Sequence, residues 1–311
     1  MIEFLVRRLV GLVVTLTVVS IVVFLVMNVL PGDPAAVMLG TSASEDTLKA
    51  LRAALGLDRP LVERWATWFL GLFRGDLGVS HTYGVPVADL IAERLTVTLP
   101  LAFGAIALSI AIAVPLGVVA AARRGGFVDH LTGVLTQTFI AVPAFWVGLM
   151  LVALFAVGFG WLPAGGFPGW SGGVGPALAA LLLPTVALAL PQAGVLTRVT
   201  RSAVIEVMND DFVRTARAKG ASRRSALWRH AVPNALVPVV TILGLQFTFL
   251  VSGGVLVENV FALPGLGRLA YQALLQRDLI VMQDVVLFFA ALVIVVNFLV
   301  DLAYLRIDPR L

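Results

Sequence analysis

Six long apolar stretches divide the chain, and shorter polar segments connect them. The first covers residues 9–30 and contains no charged side chain. As a helix, it is long enough to cross a hydrocarbon layer of roughly 30 Å. The other five lie at about 95–122, 131–157, 177–196, 235–257 and 285–303, the last being uncharged from 285 to 300. This pattern predicts an all-α integral membrane protein with six transmembrane helices.

Proline interrupts most of the predicted spans. The positions are Pro100, Pro115, Pro143, Pro184, Pro191 and Pro238. A proline removes one helical hydrogen bond, but neighbouring helices and side chains satisfy the freed backbone groups inside a bundle. We therefore expect kinked spans.

The segment 31–94 lies between the first two spans and has a different pattern. Large apolar side chains recur there at helical spacing, namely Leu61, Trp65, Trp68, Phe69 and Leu72. This spacing favours an amphipathic helix in a segment that folds on the outer membrane face. Because the chain shows no internal repeat, low-complexity tract or linker, we expect one transmembrane domain over residues 1–311.

Composition agrees with a membrane location. Hydrophobic residues make up 59% of the chain and charged residues only 13%, whereas about a quarter of the residues in soluble domains are charged. The first apolar stretch is longer than the core of about 7–15 residues in a signal peptide, so we expect it to be retained as a span. The absence of cysteine excludes disulfides, thiol nucleophiles and thiolate metal ligands.

Basic residues predict the orientation. With a cytoplasmic amino terminus, the inside segments hold 14 of the 22 Lys and Arg residues, eight of them between Arg198 and Arg229. Six of the remaining eight lie in the long segment 31–94, which counts weakly in this rule. The sequence therefore predicts a multi-pass protein of the bacterial plasma (inner) membrane with both termini cytoplasmic.

The most charged connection is the predicted cytoplasmic loop at about 197–234. Within it, Asn209 or Asp210 can cap a helix, and Gly220 is a natural C-terminal stop. Ser222 can cap a second helix that enters the fifth span through Pro233. The sequence thus predicts a short helix held at the membrane face.

Two interpretations of this short helix remain open on spacing alone. The small residues Ala216, Ala218 and Gly220 would let the backbone of another protein approach, while Arg214, Arg217 and Lys219 offer surface contacts. Alternatively, a basic loop fixes topology and contacts anionic membrane lipid only. The first interpretation makes the loop a docking site for a protein partner, and the second does not.

The loop resembles the EAA loop of binding-protein-dependent ABC import permeases. The general pattern is Glu-Ala-Ala, three residues, Gly, nine residues and Ile-x-Leu-Pro. This chain has RTARAKG, nine residues and HAVP, so that Ala216, Gly220 and Pro233 match. It departs from the pattern at four positions, which are Arg214, Thr215, His230 and Val232.

Other segments are similar to the dipeptide, oligopeptide and nickel permease branch of that family. They are LPGDP after the first span, RGDLGVSHTYGVPVADLIAERLTVTLPLA before the second, PGLGRLAYQALLQRDL before the sixth, and DPRL at the carboxyl end. The resemblance covers nearly the whole chain. It implies a type I ABC importer permease fold, in which the EAA loop helix docks in a groove of a cytoplasmic ATPase.

The resemblance also implies roles for residues and partners. The ATPase-coupling residues would be Asp211, Phe212, Arg214, Thr215, Ala216, Arg217, Ala218, Lys219, Gly220 and Pro233. The partners would be a second homologous permease subunit, two ABC ATPase subunits and an extracytoplasmic binding protein, with no nucleic acid. The chain would bind no cofactor, and ATP and Mg²⁺ would belong to the ATPases.

Catalytic and metal sites are not expected. GWSGG contains Ser171 in the GxSxG pattern of serine hydrolases, but it lies in a Gly- and Pro-rich loop without the required strand-to-helix turn. The chain has no GxxxxGK[ST] phosphate-binding loop, so it cannot hydrolyse ATP by that route. His81 lacks the neighbouring ligands that a nickel site needs. We expect a transport subunit rather than an enzyme.

The alternative class is an ion-coupled secondary transporter, which commonly carries ionisable residues near the membrane midplane. The uncharged stretches contain no Asp, Glu, Lys, Arg or His, which favours the ABC permease. Candidate pathway residues are the polar Gln137, Gln192, Gln246 and Asn297. A neutral pathway is compatible with import of di- or oligopeptides, with nickel or another small solute as the alternative substrate.

Overall fold

The computed structural model describes residues 2–29, 33–39 and 44–307. Within these ranges the fold is helical, and the only β-pairing is an isolated bridge between Val79 and Pro86. The first seven helices are α1 (Ile2–Val29), α2 (Pro34–Leu39), α3 (Glu45–Ala54), α4 (Leu61–Leu72), α5 (Val87–Ala122), α6 (Phe127–Ala141) and α7 (Ala144–Leu151). The others are α8 (Val174–Val207), α9 (Asp211–Ala218), α10 (Arg223–Ala226), α11 (Val232–Val260), α12 (Leu266–Gln276) and α13 (Leu279–Ile307).

The chain folds as two compact units. The first comprises residues 1–98 and 264–295, and the second comprises 99–263 and 296–311. Because α5 and α13 are long, each contributes residues to both units. The expectation of one permease domain stays a prediction.

In the first unit, the amphipathic helix predicted between the first two spans is present as α4. Trp65 donates an indole hydrogen bond to Ser20 Oγ of α1 at 3.2 Å, and Trp68 stacks on Phe24 with the ring centres 6.3 Å apart. An apolar core that includes Val87, Leu90, Ile91, Leu266, Leu269, Val281 and Val285 joins the start of α5 to α12 and α13. Segment 31–94 therefore contains folded helices, as predicted, and its outer location stays a prediction.

Two buried carboxylates of the first unit were not singled out by the sequence. Asp278 precedes α13 and accepts hydrogen bonds from Ser80 Oγ at 2.6 Å and from the Thr82 backbone at 3.0 Å. Asp284 lies within α13 and accepts a bond from Trp68 Nε1 at 2.7 Å. The sixth span was predicted to begin at residue 285, one residue after Asp284. The helix begins earlier, at Leu279, and therefore includes this acid. Donors from distant parts of the sequence therefore bind acids near this span, although Asp284 Oδ2 has no hydrogen-bond partner among the described residues.

The second unit is built around α8, which contacts α6, α7 and α11. Glycines permit the closest approaches. A β-carbon at Gly117 of α5 would lie 2.7 Å from Thr200 Cβ, and one at Gly194 would lie 2.9 Å from the Thr136 carbonyl of α6. Both distances are below van der Waals contact. Larger residues at these glycines would push the helices apart.

The predicted third span, 131–157, is not one continuous helix. The helices α6 and α7 bend by 99° at a break formed by Val142 and Pro143, and α7 continues as a π-helix over Val152–Gly158. Val142 has an extended backbone (φ −93°, ψ 124°) because the following proline disfavours helical geometry. The expected kink is therefore a sharp break here, whereas Pro184 and Pro191 lie inside the unbroken α8.

Five helices of the described chain are long and apolar enough to cross a membrane, and there are six spans if the bent pair counts as one. They are Val10–Val29, Val87–Ala122, Val174–Val207, Arg223–Val260 and Leu279–Val300. These helices extend beyond most of the uncharged stretches and so carry charged residues near their ends. The all-α membrane fold agrees with the prediction. The start of LPGDP, residues 30–32, and the carboxyl-terminal DPRL lie outside the described residues.

Candidate functional site

The segment predicted to couple the protein to an ATPase contains the helix α9. Its N-cap is Asp210, in an extended conformation (φ −68°, ψ 151°), but the Asp210 side chain makes no capping bond. The Asn209 side chain instead donates to the Ile205 carbonyl at 2.9 Å. Asp211 occupies the first turn, where its charge complements the helix dipole. The predicted start is correct, and the side-chain cap is not formed.

The end of α9 is fixed by a Schellman motif. Gly220 N donates to the Arg217 carbonyl at 3.0 Å, and Ala221 N donates to the Ala216 carbonyl at 3.1 Å. This geometry places Gly220 at φ +96°, in a region that glycine adopts at low cost. A β-carbon there would find open space, so the requirement for glycine comes from the backbone alone. The predicted stop at Gly220 is confirmed.

One face of α9 packs inward, and most of the helix is exposed. Val213 is fully buried, Ala216 is half-buried, and Phe212 is exposed. The remaining candidate coupling residues of the loop are also exposed: Asp211, Arg214, Thr215, Arg217, Ala218, Lys219 and Gly220. The helix is thus anchored by Val213, and its other side is exposed.

The chain returns to the bundle through a second capped helix. Ser222 Oγ accepts a bond from Ser225 N at 3.2 Å and begins α10, as predicted. The helix then widens into a π-helix over Leu227–Ala231, in which Val232 N donates to the Leu227 carbonyl. Pro233 follows in the first turn of α11, where an absent N–H is tolerated. The HAVP segment therefore forms the junction between loop and span.

A cluster of buried apolar side chains holds this junction. Residues from α5, α8, the π-helix and α11 share it, namely Val118, Ala121, Ala203, Val204, Leu227, Ala231, Val232 and Ala235. Both ends of the loop are therefore seated on the same core. A force applied to α9 can pass to α8 and α11 through packed side chains.

An ion pair that sequence reasoning missed joins α6 to α8. Arg201 holds both carboxylate oxygens of Asp129, with Nε–Oδ1 at 2.5 Å and Nη2–Oδ2 at 2.8 Å. The Gly125 backbone donates to the same carboxylate at 2.8 Å. The Asp129 side chain is 8% exposed and that of Arg201 is 36% exposed. One signal in the sequence could have indicated this pair. Asp129 is a single acidic residue close to the basic residues Arg123 and Arg124, which follow the second span.

A groove of about 800 Å³ runs beside this pair. It is lined by residues of α6 and α8 that include Gln137, His130, Thr197 and Arg198. Of the four predicted pathway residues, only Gln137 is in its described lining. Polar side chains on an exposed face of a membrane helix favour contact with water or with another subunit.

The other three predicted pathway residues lie elsewhere in the second unit. Gln246 of α11 is buried, and its Nε2 has no hydrogen-bond partner in the described part of the chain. Asn297 of α13 places Oδ1 2.6 Å from where a β-carbon of Gly244 would stand. Gln192 is half-buried on α8. A buried amide without a partner favours a position that water or a transported solute reaches.

No catalytic or metal arrangement forms around the candidate residues. Ser171 lies in an exposed three-residue turn of 3₁₀-helix, Trp170–Gly172, and not at a strand-to-helix elbow. Across ranges 2–29, 33–39 and 44–307, no group of three or more His, Asp or Glu residues could hold a metal ion.

Comparison with known proteins supplies the family. Residues 113–311 match the family model "Binding-protein-dependent transport system inner membrane component", and residues 1–102 match the model of its N-terminal region. The protein named "Probable peptide ABC transporter permease protein y4tP" of Sinorhizobium fredii is 40% identical over 99% of this chain and 98% of its own length. The glutathione transport system permease protein GsiC of Escherichia coli is 38% identical over 100% of this chain and 99% of its own length.

A solved structure shares the fold. An inward-facing form of the MetNI methionine ABC transporter contains a chain that superposes with a TM-score of 0.59 at 20% identity, over 71% of this chain and 97% of the other. This likeness supports the type I permease fold alone. The family match places the protein in the inner membrane as a multi-pass subunit, with ATPase and substrate-binding proteins as partners. The chain therefore belongs to the inner membrane components of binding-protein-dependent transport systems, as a transport subunit that relies on separate ATPases for ATP hydrolysis.

Proposed function

We propose that the protein lines the translocation pathway for imported peptides and that α9 couples this pathway to a cytoplasmic ATPase. The observation that carries the proposal is α9 itself, an exposed helix anchored by one buried residue, Val213, and ended by Gly220. The peptide substrate is supported by relatives of similar length, one named as a peptide permease and one as a glutathione permease. Peptides and glutathione both contain peptide bonds and carboxylates.

The coupling step follows from the packing of the loop. An ATPase groove that receives α9 would contact Ala216, Ala218 and the exposed cations Arg214 and Lys219. Movement of the ATPase would then move α8 and α11, because both ends of the loop are seated on one apolar cluster. In this way, ATP-driven closure would change the opening of the pathway without any nucleotide on this chain.

The pathway itself would use polar groups without fixed charge. Gln246 offers an unpartnered buried amide, and Gln137 lies in the groove beside α8. Neutral donors and acceptors can exchange contacts with a peptide backbone without holding it through a strong ionic bond. Gln192 and Asn297 complete the proposed polar set.

The proposed assembly contains a second homologous permease, two ATPases and an external binding protein. The termini of this chain would lie in the cytoplasm, and segment 31–94 would face outward. ATP and Mg²⁺ would bind the ATPases only. The arrangement follows from the distribution of basic residues and from the EAA-like loop.

Uptake in proteoliposomes tests this function. The permease pair, its ATPases and its binding protein should together accumulate a labelled dipeptide or glutathione, and omission of ATP should abolish uptake. The permease alone should show no ATPase activity. Uptake of peptide driven by a proton or sodium gradient without ATPases would contradict the proposal, and uptake of nickel in place of peptides would contradict the substrate.

A further inference from the structure

Five arginines converge on one pocket of about 740 Å³ in the second unit. The arginines are Arg123, Arg124, Arg217, Arg223 and Arg224, and this set together with Trp228 is called the arginine pocket. They come from the turn after α5, from α9 and from α10, so that positions about a hundred residues apart in sequence share one cavity. The lining contains no Asp or Glu.

The five arginines are exposed to solvent, and no acidic side chain of the described residues pairs with them. Arg223 makes a single long hydrogen bond, 3.5 Å, to the Ala122 carbonyl, and the other four arginines have no ion-pair partner in the described ranges. Converging like charges repel one another unless an anion lies between them. Arginine suits phosphate in particular, because its planar donors can bind two phosphate oxygens at once.

Topology alone does not account for the convergence. The positive-inside rule requires basic residues in cytoplasmic segments but places no demand on their mutual position. Arg229 and Lys219 belong to the same loop and satisfy the rule equally, yet neither lines the pocket. The convergence of the arginines on one cavity therefore favours a bound ligand, in addition to a role in membrane orientation.

The remaining lining indicates which anion fits. Val118, Val119, Leu227 and the half-exposed Trp228 form an apolar wall beside the arginines. Tryptophan is typical of the membrane interface, where its ring meets lipid at headgroup level. An anionic phospholipid matches both the arginines and the apolar wall. Its phosphate would lie on the guanidinium groups, and its glycerol and first acyl carbons would lie on the apolar wall. Inorganic phosphate would use only the first part.

We propose that the arginine pocket binds the phosphate of an anionic phospholipid, such as phosphatidylglycerol, from the leaflet predicted to be cytoplasmic. Arg217 belongs to α9 and Arg123 lies in the turn directly after α5, so a bound phosphate bridges the proposed coupling helix to the end of a span. Basic pockets between helices on this side of a membrane are suited to such headgroups. The site is independent of the peptide pathway.

Native mass spectrometry of the purified transporter complex tests the proposal, with phosphatidylglycerol or phosphatidylcholine added as the probe. Phosphatidylglycerol should bind in preference to phosphatidylcholine. Arg123→Gln and Arg224→Gln should each weaken its binding by roughly tenfold, the loss of one charge-assisted contact. The matched control is Arg229→Gln, which removes one exposed charge of the same loop outside the pocket and should leave binding unchanged. If the ATPase subunits co-purify with all three variants as they do with the wild type, the variants are folded.

Three results would overturn the lipid assignment. Equal loss with Arg229→Gln would mean that lipid responds only to the total charge of the loop. Competition by inorganic phosphate as strong as that by phosphatidylglycerol would identify a free anion. Binding of phosphatidylglycerol only after the ATPases are stripped away, with loss of ATPase recovery in Arg224→Gln, would identify the pocket as part of the ATPase interface.

Discussion

Replacing Gly220 by valine should release the ATPases from the permease without removing the permease from the membrane. The perturbation acts on the backbone, since Gly220 has φ +96° and a β-carbon there would meet no atom within 4 Å. A left-handed conformation costs an L-residue about 1–2 kcal/mol, and a β-branched residue is the least tolerant of it. Asparagine adopts this region more readily, so we expect the order Gly, Asn, Ala and Val.

The size of the effect follows from the two hydrogen bonds that end α9. Each contributes about 0.5–1.5 kcal/mol net, so the backbone penalty is large enough to open the Schellman motif. A penalty of about 1–2 kcal/mol lowers the ratio of correctly ended to opened helix by roughly 5–30-fold. If docking requires that end, the apparent affinity for the ATPase falls by at most the same factor.

Gly125 provides a matched control for this experiment. It has φ +77° in the turn between α5 and α6, and a β-carbon there would also meet open space. Gly125→Val therefore carries the same backbone cost outside α9. ATPase recovery per membrane-inserted permease should fall with Gly220→Val and stay near wild type with Gly125→Val. Equal recovery from Gly220 variants bearing Asn, Ala and Val would refute the reasoning.

Two further predictions concern packing and orientation. Asp129→Asn should lower the melting temperature of the purified complex, because it leaves Arg201 without its acid. We expect the free energy of unfolding to fall by about 1–3 kcal/mol. This is less than the roughly 3–5 kcal/mol for a fully buried pair, since Arg201 is partly exposed. An unchanged melting temperature would show that the pair adds nothing. In intact cells freed of any outer barrier, an impermeant thiol reagent should label Thr47→Cys and not Ser222→Cys, because the chain has no cysteine of its own. The opposite labelling would invert the predicted topology.

Features set by local chemistry were predictable from the sequence. The end of α9 is one example, because Gly220 follows a run of helix formers and few other residues adopt a positive φ. The cap at Ser222 is another, since a hydroxyl that accepts from the backbone three residues later needs no distant partner. The apolar pattern likewise predicted six spans, and the described helices give five, or six if the bent pair α6 and α7 counts as one.

Features set by distant contacts were not predictable. Asp129 and Arg201 are 72 residues apart, and Trp68 reaches Asp284 across 216 residues. Proline alone does not predict whether a span breaks. Pro143 lies at the 99° break between α6 and α7, whereas Pro191 lies inside the unbroken α8. Surrounding helices decide between these outcomes, and a single sequence contains no direct record of them.

Site-specific photo-crosslinking measures the contact on which the account depends. A benzophenone amino acid in place of the exposed Ala218 should cross-link the permease to its ATPase in intact membranes. The same group in place of Val62, an exposed residue of α4 in the segment predicted to lie outside, should give no such product. Cross-links from Ala218 alone are the predicted result. Their absence from an assembled, transport-competent complex would contradict docking of α9 on the ATPase.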